Sequence, residues 1–180
     1  MQTNEPSFLH ASRSDLPVGI RVYLIQLLQQ MLVSTIDLRS QVKQACWNVK
    51  GREFSQLHTL LGAIGAELDA YADLLAERIV TLGGVVRGTV RIAAMQSTLL
   101  EYPEDLVAGD AHVQALVERV APYVKALRAD ITHAADVEDT VGGSVHRHRL
   151  WGRETAMGFG STSPLLESIA QYERPLGAFL

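Results

Sequence analysis

The chain is short of cysteine, of long apolar runs and of positive charge, and each shortage excludes a class of protein. Its one cysteine, Cys46, cannot form an internal disulfide, which agrees with a reducing compartment. No run reaches the roughly eighteen consecutive apolar residues that a membrane span needs. Residues 1–18 lack the charged start and apolar middle of a signal peptide, so the expected location is the cytoplasm. A net charge of −4 argues against a surface that attracts nucleic acid everywhere. What is present is a 47% hydrophobic chain of 180 residues, enough for one domain with a sizeable core and too apolar for a disordered protein.

Breakers divide the chain. Residues 1–16 read as a polar tail, with Asp15 and Pro17 as a helix cap and first turn. A first helix is expected from Pro17 to about Trp47, because Leu24, Leu27, Leu28, Met31 and Leu32 recur at helical spacing. A second runs from Phe54 to Leu82, a stretch without proline that ends at Gly83-Gly84. The connection from Gly83 to Gly109 is too long to be bare, and Arg91 to Thr98 suits a short helix within it. A third long helix spans Asp110 to about Ala135, burying Val113, Leu116, Val117, Val120, Val124 and Leu127. Pro122 lies inside it and removes a backbone hydrogen bond at a cost of about 3 kcal/mol, so a kink is expected. The reading is an all-α bundle over residues 17–139, followed by a different segment over 140–180.

The second helix carries the candidate chemistry. Asp73 and Glu77 are four residues apart, share a helix face, and can hold one cation between their carboxylates. His58 lies fifteen residues before Asp73, roughly 22 Å along a helix axis. One chain cannot close that site. Two copies packed antiparallel across a two-fold axis would set His58 of one against Asp73 and Glu77 of the other. The spacing is equally that of an amphipathic helix with a solvated acidic face and an incidental histidine.

The motifs decide between these readings. Cys46-Trp47-Asn48-Val49-Lys50-Gly51, then Phe54-Ser55-Gln56-Leu57-His58, then Asp73-Leu74-Leu75-Ala76-Glu77-Arg78 resemble the Dps family, the mini-ferritins, which read approximately H-W-N-V-K-G, F-x-x-L-H and D-x-x-A-E-R. Both gaps between the motifs agree, and the similarity covers Asp15 to Asp139, including Leu82-Gly83-Gly84 and the Glu101-Tyr102-Pro103 turn. The resemblance implies a ferritin-like four-helix bundle with a short extra helix near a dimer interface. It implies assembly of two-fold dimers into a hollow dodecamer that oxidises Fe(II), usually with hydrogen peroxide, stores ferric iron and protects DNA from oxidative stress. By the same resemblance the metal ligands are His58, Asp73, Glu77 and Cys46, the last in place of a histidine. Trp47 lines the site, and iron is the cofactor, with no organic one. Family members that bind DNA often use a lysine-rich extension; here the tail sets Arg13 against Glu5 and Asp15, so DNA binding by it is expected to be weak or absent.

Three departures qualify the transfer of function. Cys46 replaces imidazole with a softer sulfur ligand that favours zinc over ferric iron and is itself oxidised by peroxide. Gly62 stands where many relatives place an aspartate for a second iron. Ferritin-type Glu-x-x-His pairs, which would build a di-iron site within one bundle, are absent from the sequence. The third departure is the segment after Asp139. It scatters Gly142, Gly143, Gly152, Gly158 and Gly160 among polar residues and makes a poor fourth helix.

Relatives end approximately D-L-Y-T-D-I-x-x-G-x-x-K-x-L-W-x-L-E-A-H-L. Codons compatible with this chain, read one nucleotide out of register, recover that ending. Met157-Gly158 then yields tryptophan, Trp151-Gly152 yields glycine six positions earlier, and His146 to Arg149 permits T-D-I. A single-nucleotide shift near residues 140–143 is therefore a hypothesis for the altered C-terminus. A genomic read in frame with close relatives across those codons would eliminate it. Besides the iron-oxidising cage, two readings stay open: a catalytically impaired or purely structural DNA-protecting cage, and a zinc- or redox-sensing thiol at Cys46.

Overall fold

The computed structural model of the chain describes residues 9–51 and 54–140, with side chains of the last helix described to residue 134. Four helices follow one another: α1 (Val18–Asn48), α2 (Phe54–Thr81), the short α3 (Val90–Gln96) and α4 (Gly109–Thr140). The expected all-α fold is present, with the short helix inside the long connection. The expected loss of a fourth bundle helix after residue 140 lies outside the described residues, as does the start of the tail. None of the helices among the described residues is long and apolar enough to cross a membrane.

Apolar periodicity explains the packing. Leu24, Met31, Leu32, Leu38 and Val42 of α1 meet Leu61, Ile64, Leu68, Leu75 and Ile79 of α2 in one core, which Leu116, Val117, Val120 and Leu127 of α4 join. Leu27, Leu28, Val113 and Val124 pack against its margin. The central helix is α1, which touches α2, α3 and α4. A buried bond between the Thr35 and Tyr123 hydroxyls, 2.9 Å apart, ties α1 to α4. Helix α4 continues through Pro122 to Thr140.

Local polar contacts position the connections. Asp15 does not cap α1 as expected: Pro17 occupies the N-cap position, where no side chain supplies a capping bond. Residues 9–16, counted with the tail by sequence, instead lie along the end of α2. The His10 amide donates to the Gly83 carbonyl at 2.7 Å, the Ser12 hydroxyl donates to the Thr81 carbonyl at 2.6 Å, and Leu16 is buried. Gly83 has φ +89°, and a Cβ there would stand 2.5 Å from the His10 carbonyl oxygen, so backbone conformation and close approach both call for glycine. Three α1 glutamines hold the long connection through their amide groups: Gln29 to the Arg87 carbonyl, Gln30 to that of Gln96 and Gln41 to that of Leu100. Thr89 caps α3, accepting from the Ile92 amide.

Candidate metal site on the second helix

The residues singled out by sequence fall into two groups at opposite ends of α2. Near its start, His58 is exposed, beside the Phe54 ring at a centroid distance of 5.3 Å. Trp47, at the end of α1, is 71% exposed. Near the other end, Asp73 and Glu77 are both exposed, one helical turn apart. Asp69, on the same stripe, is already engaged: the Arg39 guanidinium holds its carboxylate with contacts of 2.9 and 3.1 Å. Among the described residues no group of three or more His, Cys, Asp or Glu side chains lies close enough within one chain to hold a metal ion. His58 is thus not brought to Asp73 and Glu77 among the described residues of a single chain.

Cys46 occupies a different environment from the other candidates. It is 4% exposed and belongs to the core cluster with Val42, Ala45, Val49 and Leu61. Its thiol donates to the backbone carbonyl of His58, with Sγ 3.7 Å from the oxygen. The sulfur therefore faces the inner side of α2 at the level of His58. Among the described residues, nothing lies within 4 Å of where a Cβ on Gly62, one turn beyond His58, would stand. A larger side chain fits there without displacement.

The structure also reveals a polar cluster that sequence reading missed. Tyr102 hydroxyl and His112 Nδ1 are 2.6 Å apart, both side chains buried. The Arg119 guanidinium lies 5.7 Å from the Tyr102 ring centroid and donates to the Ala115 and Glu101 carbonyls. Burial pushes the Tyr102 hydroxyl up to about 12, against the opposing pull of Arg119, so the phenol keeps its proton. Burial also lowers the His112 pKa, an effect opposed by the backbone of Asn48 and Leu106; among the described residues Nε2 has no partner in hydrogen-bond geometry. The cluster fastens the loop before α4 to the first turns of α4, and the Lys50 amide, donating to the Val107 carbonyl at 3.2 Å, ties that loop to the residues after α1. A Cβ on Gly109 would stand 2.6 Å from Leu57 Cδ1, which shows how closely α4 begins against the residue preceding His58. Only the histidine in the first turn of α4 could have signalled this cluster, and a helical histidine is usually solvent-facing.

A model of the ferritin-like domain matches residues 25–145. The DNA protection during starvation protein of Agrobacterium fabrum is 35% identical over 130 residues, 72% of this chain and 80% of that protein. The protein of that name from Streptococcus suis is 31% identical over 120 residues, 66% of this chain and 67% of that one. Among solved structures, DpsC from Streptomyces coelicolor superposes with a TM-score of 0.75 at 23% identity, covering 95% of this chain and 93% of that chain. Mycobacterium smegmatis Dps gives 0.77 at 22% identity, covering 93% and 96%. These two structures share the fold.

Proposed function

This chain belongs to the Dps family of ferritin-like proteins, and from that premise we propose that it binds Fe(II) as substrate at a site shared by two subunits, oxidises it with peroxide and stores the ferric product. The observation that carries this reading is the layout of α2, with an exposed imidazole at one end and an exposed carboxylate pair at the other, and no means of joining them within one chain. An isologous pairing supplies the join. The exposed apolar side chains support it: Trp47 and Phe54 stand at the His58 end, and Leu74, Val80 and Val85 at the acidic end, between 40% and 71% exposed. Antiparallel helices would cover one set with the other.

In this reading Asp73 and Glu77 neutralise and hold the cation, His58 of the facing subunit adds a nitrogen donor, and Trp47 shields the site. Two Fe(II) ions each give one electron to hydrogen peroxide, which leaves as two hydroxides. Dimers close into a dodecameric cage that keeps the ferric product inside, guarding DNA and cell against oxidative stress in the cytoplasm. The relatives' name attaches DNA protection to the family. The N-terminal tail here offers no basic grip, so protection by iron removal is favoured over direct binding to DNA.

A second reading, a cage whose catalysis has lapsed, draws on the buried Cys46 and the empty position beside Gly62. The deciding experiment is Fe(II) oxidation with peroxide, followed by ferric absorbance alongside size-exclusion mass. It is run on the chain as it stands, on the chain with its C-terminal frame restored, and on a Cys46→His form of the restored chain. The restored chain is expected to give cage-sized particles and turnover, and Asp73→Asn with Glu77→Gln to abolish turnover. The unrestored chain, lacking a good fourth helix, is expected to assemble poorly. Cage-sized particles without oxidation in every form would replace the ferroxidase reading with the structural one.

A further inference from the structure

Building on that functional reading, we propose that Cys46 is a positioning residue for His58 and not a cation ligand, so that each shared site takes one divalent cation where its layout could admit two. The first observation is placement. Cys46 sits in the packed core at 4% exposure, whereas His58, Asp73 and Glu77 are exposed. A cation at the sulfur would have to shed its water among Val42, Ala45 and Leu61, which offer no replacement oxygen or nitrogen from their side chains. The second is the thiol's own bond. It donates to the His58 carbonyl, an oxygen that in a helix also accepts from the amide four residues on. The last turn of α1 is thereby fixed against α2 at the residue whose imidazole faces outward. Backbone orientation sets side-chain direction in a helix, so a contact at this carbonyl aims the imidazole without touching it.

The third observation is what else could serve a second cation. Gly62 leaves its position open and without a donor, and Asp69 is held by Arg39. Among the described candidate residues, the donors that remain are His58 from one copy and Asp73 with Glu77 from the other. Three protein ligands leave room for water or substrate on one ion, and supply nothing for a neighbour.

Anaerobic titration with Co(II), read by calorimetry and absorbance on the chain as it stands and on its frame-restored form, tests this. In whichever of the two forms size exclusion shows paired, one Co(II) per chain is expected, without the near-ultraviolet charge-transfer band of a cobalt thiolate. Cys46→Ala should weaken binding several-fold at unchanged stoichiometry. Cys46→Ser, which keeps a donor, should recover part of that loss. Gly62→Asp should raise the stoichiometry to two. A thiolate band, two Co(II) in the unsubstituted chain, or equal loss of binding in both Cys46 variants would overturn the proposal. Binding untouched by His58→Ala and by Asp73→Asn would instead remove the shared-site reading on which it rests.

Discussion

The two ends of α2 are built differently. At its C-terminal end the inner face of the helix is enclosed: Leu75, Ile79 and Leu82 are completely buried, and residues 9–16 are bonded along the last turn through His10 and Ser12. The buried Arg21 adds a bond to the Leu82 carbonyl. At its N-terminal end the first turns are largely exposed on one side, and the fastening passes through single contacts: the Cys46 thiol, the Leu57 side chain against Gly109, and the Lys50 amide. The carboxylates thus project from a rigid base, while the imidazole projects from a lightly held one. The contrast locates the site's vulnerability. The two departures from the family motifs, Cys46 and Gly62, both fall at the N-terminal end, the first packed in the core and the second with no described residue within 4 Å of its Cβ position.

The comparison can be broken most strongly at the enclosed end. Leu75→Ala removes a side chain with no exposed surface and should destabilise the fold by about 2 to 5 kcal/mol through lost burial and a residual cavity. Urea denaturation would measure it. A loss under about 1 kcal/mol would mean the end is looser than its burial indicates.

Gly83→Ala should cost less, about 1 to 3 kcal/mol, because it combines a left-handed backbone with a clash against the His10 carbonyl. The strap should be released before the helix melts. Hydrogen exchange at the His10 amide is the direct check, with faster exchange in the variant expected while amides in the middle of α2 stay protected.

The smallest effect belongs to the other end and depends on pH. His112 is buried beside the loop that holds the start of α2, and its folded pKa lies below the ordinary value. The unfolded chain then takes up the proton first, so stability is complete above about pH 6.5 and falls as the solution is acidified through that value toward the folded pKa. Thermal unfolding between pH 7 and 5 should show a steeper loss for the natural chain than for His112→Gln. Parallel slopes would show that this cluster does not control the acid response.

Much of this architecture was legible in sequence because helices advertise themselves locally. The apolar repeats of α1, α2 and α4, the Gly83-Gly84 stop and the short helix in the connection all express a 3.6-residue period or a backbone preference, and each lies within a residue or two of its expected bounds except the end of α4, which runs five residues past Ala135 to Thr140. The motif residues on α2 were legible as well, since spacing along one helix fixes distance. Asp15 misled because a capping residue is recognised by its type, whereas the N-cap is decided by where the chain turns, here at Pro17. The Tyr102–His112–Arg119 cluster was invisible because its members converge from a loop and from successive turns of α4.

By itself the sequence determined that the chain is helical, where its helices run, which family it joins, and that His58 cannot meet Asp73 and Glu77 within one chain. Those properties depend on neighbours along the chain and on a fixed rise per residue. Only the tertiary structure decided that Cys46 points into the core, that Gly62 faces open space, and that residues 9–16 bind the end of α2. These are questions of which face meets which neighbour, and burial is settled by packing between segments far apart in sequence.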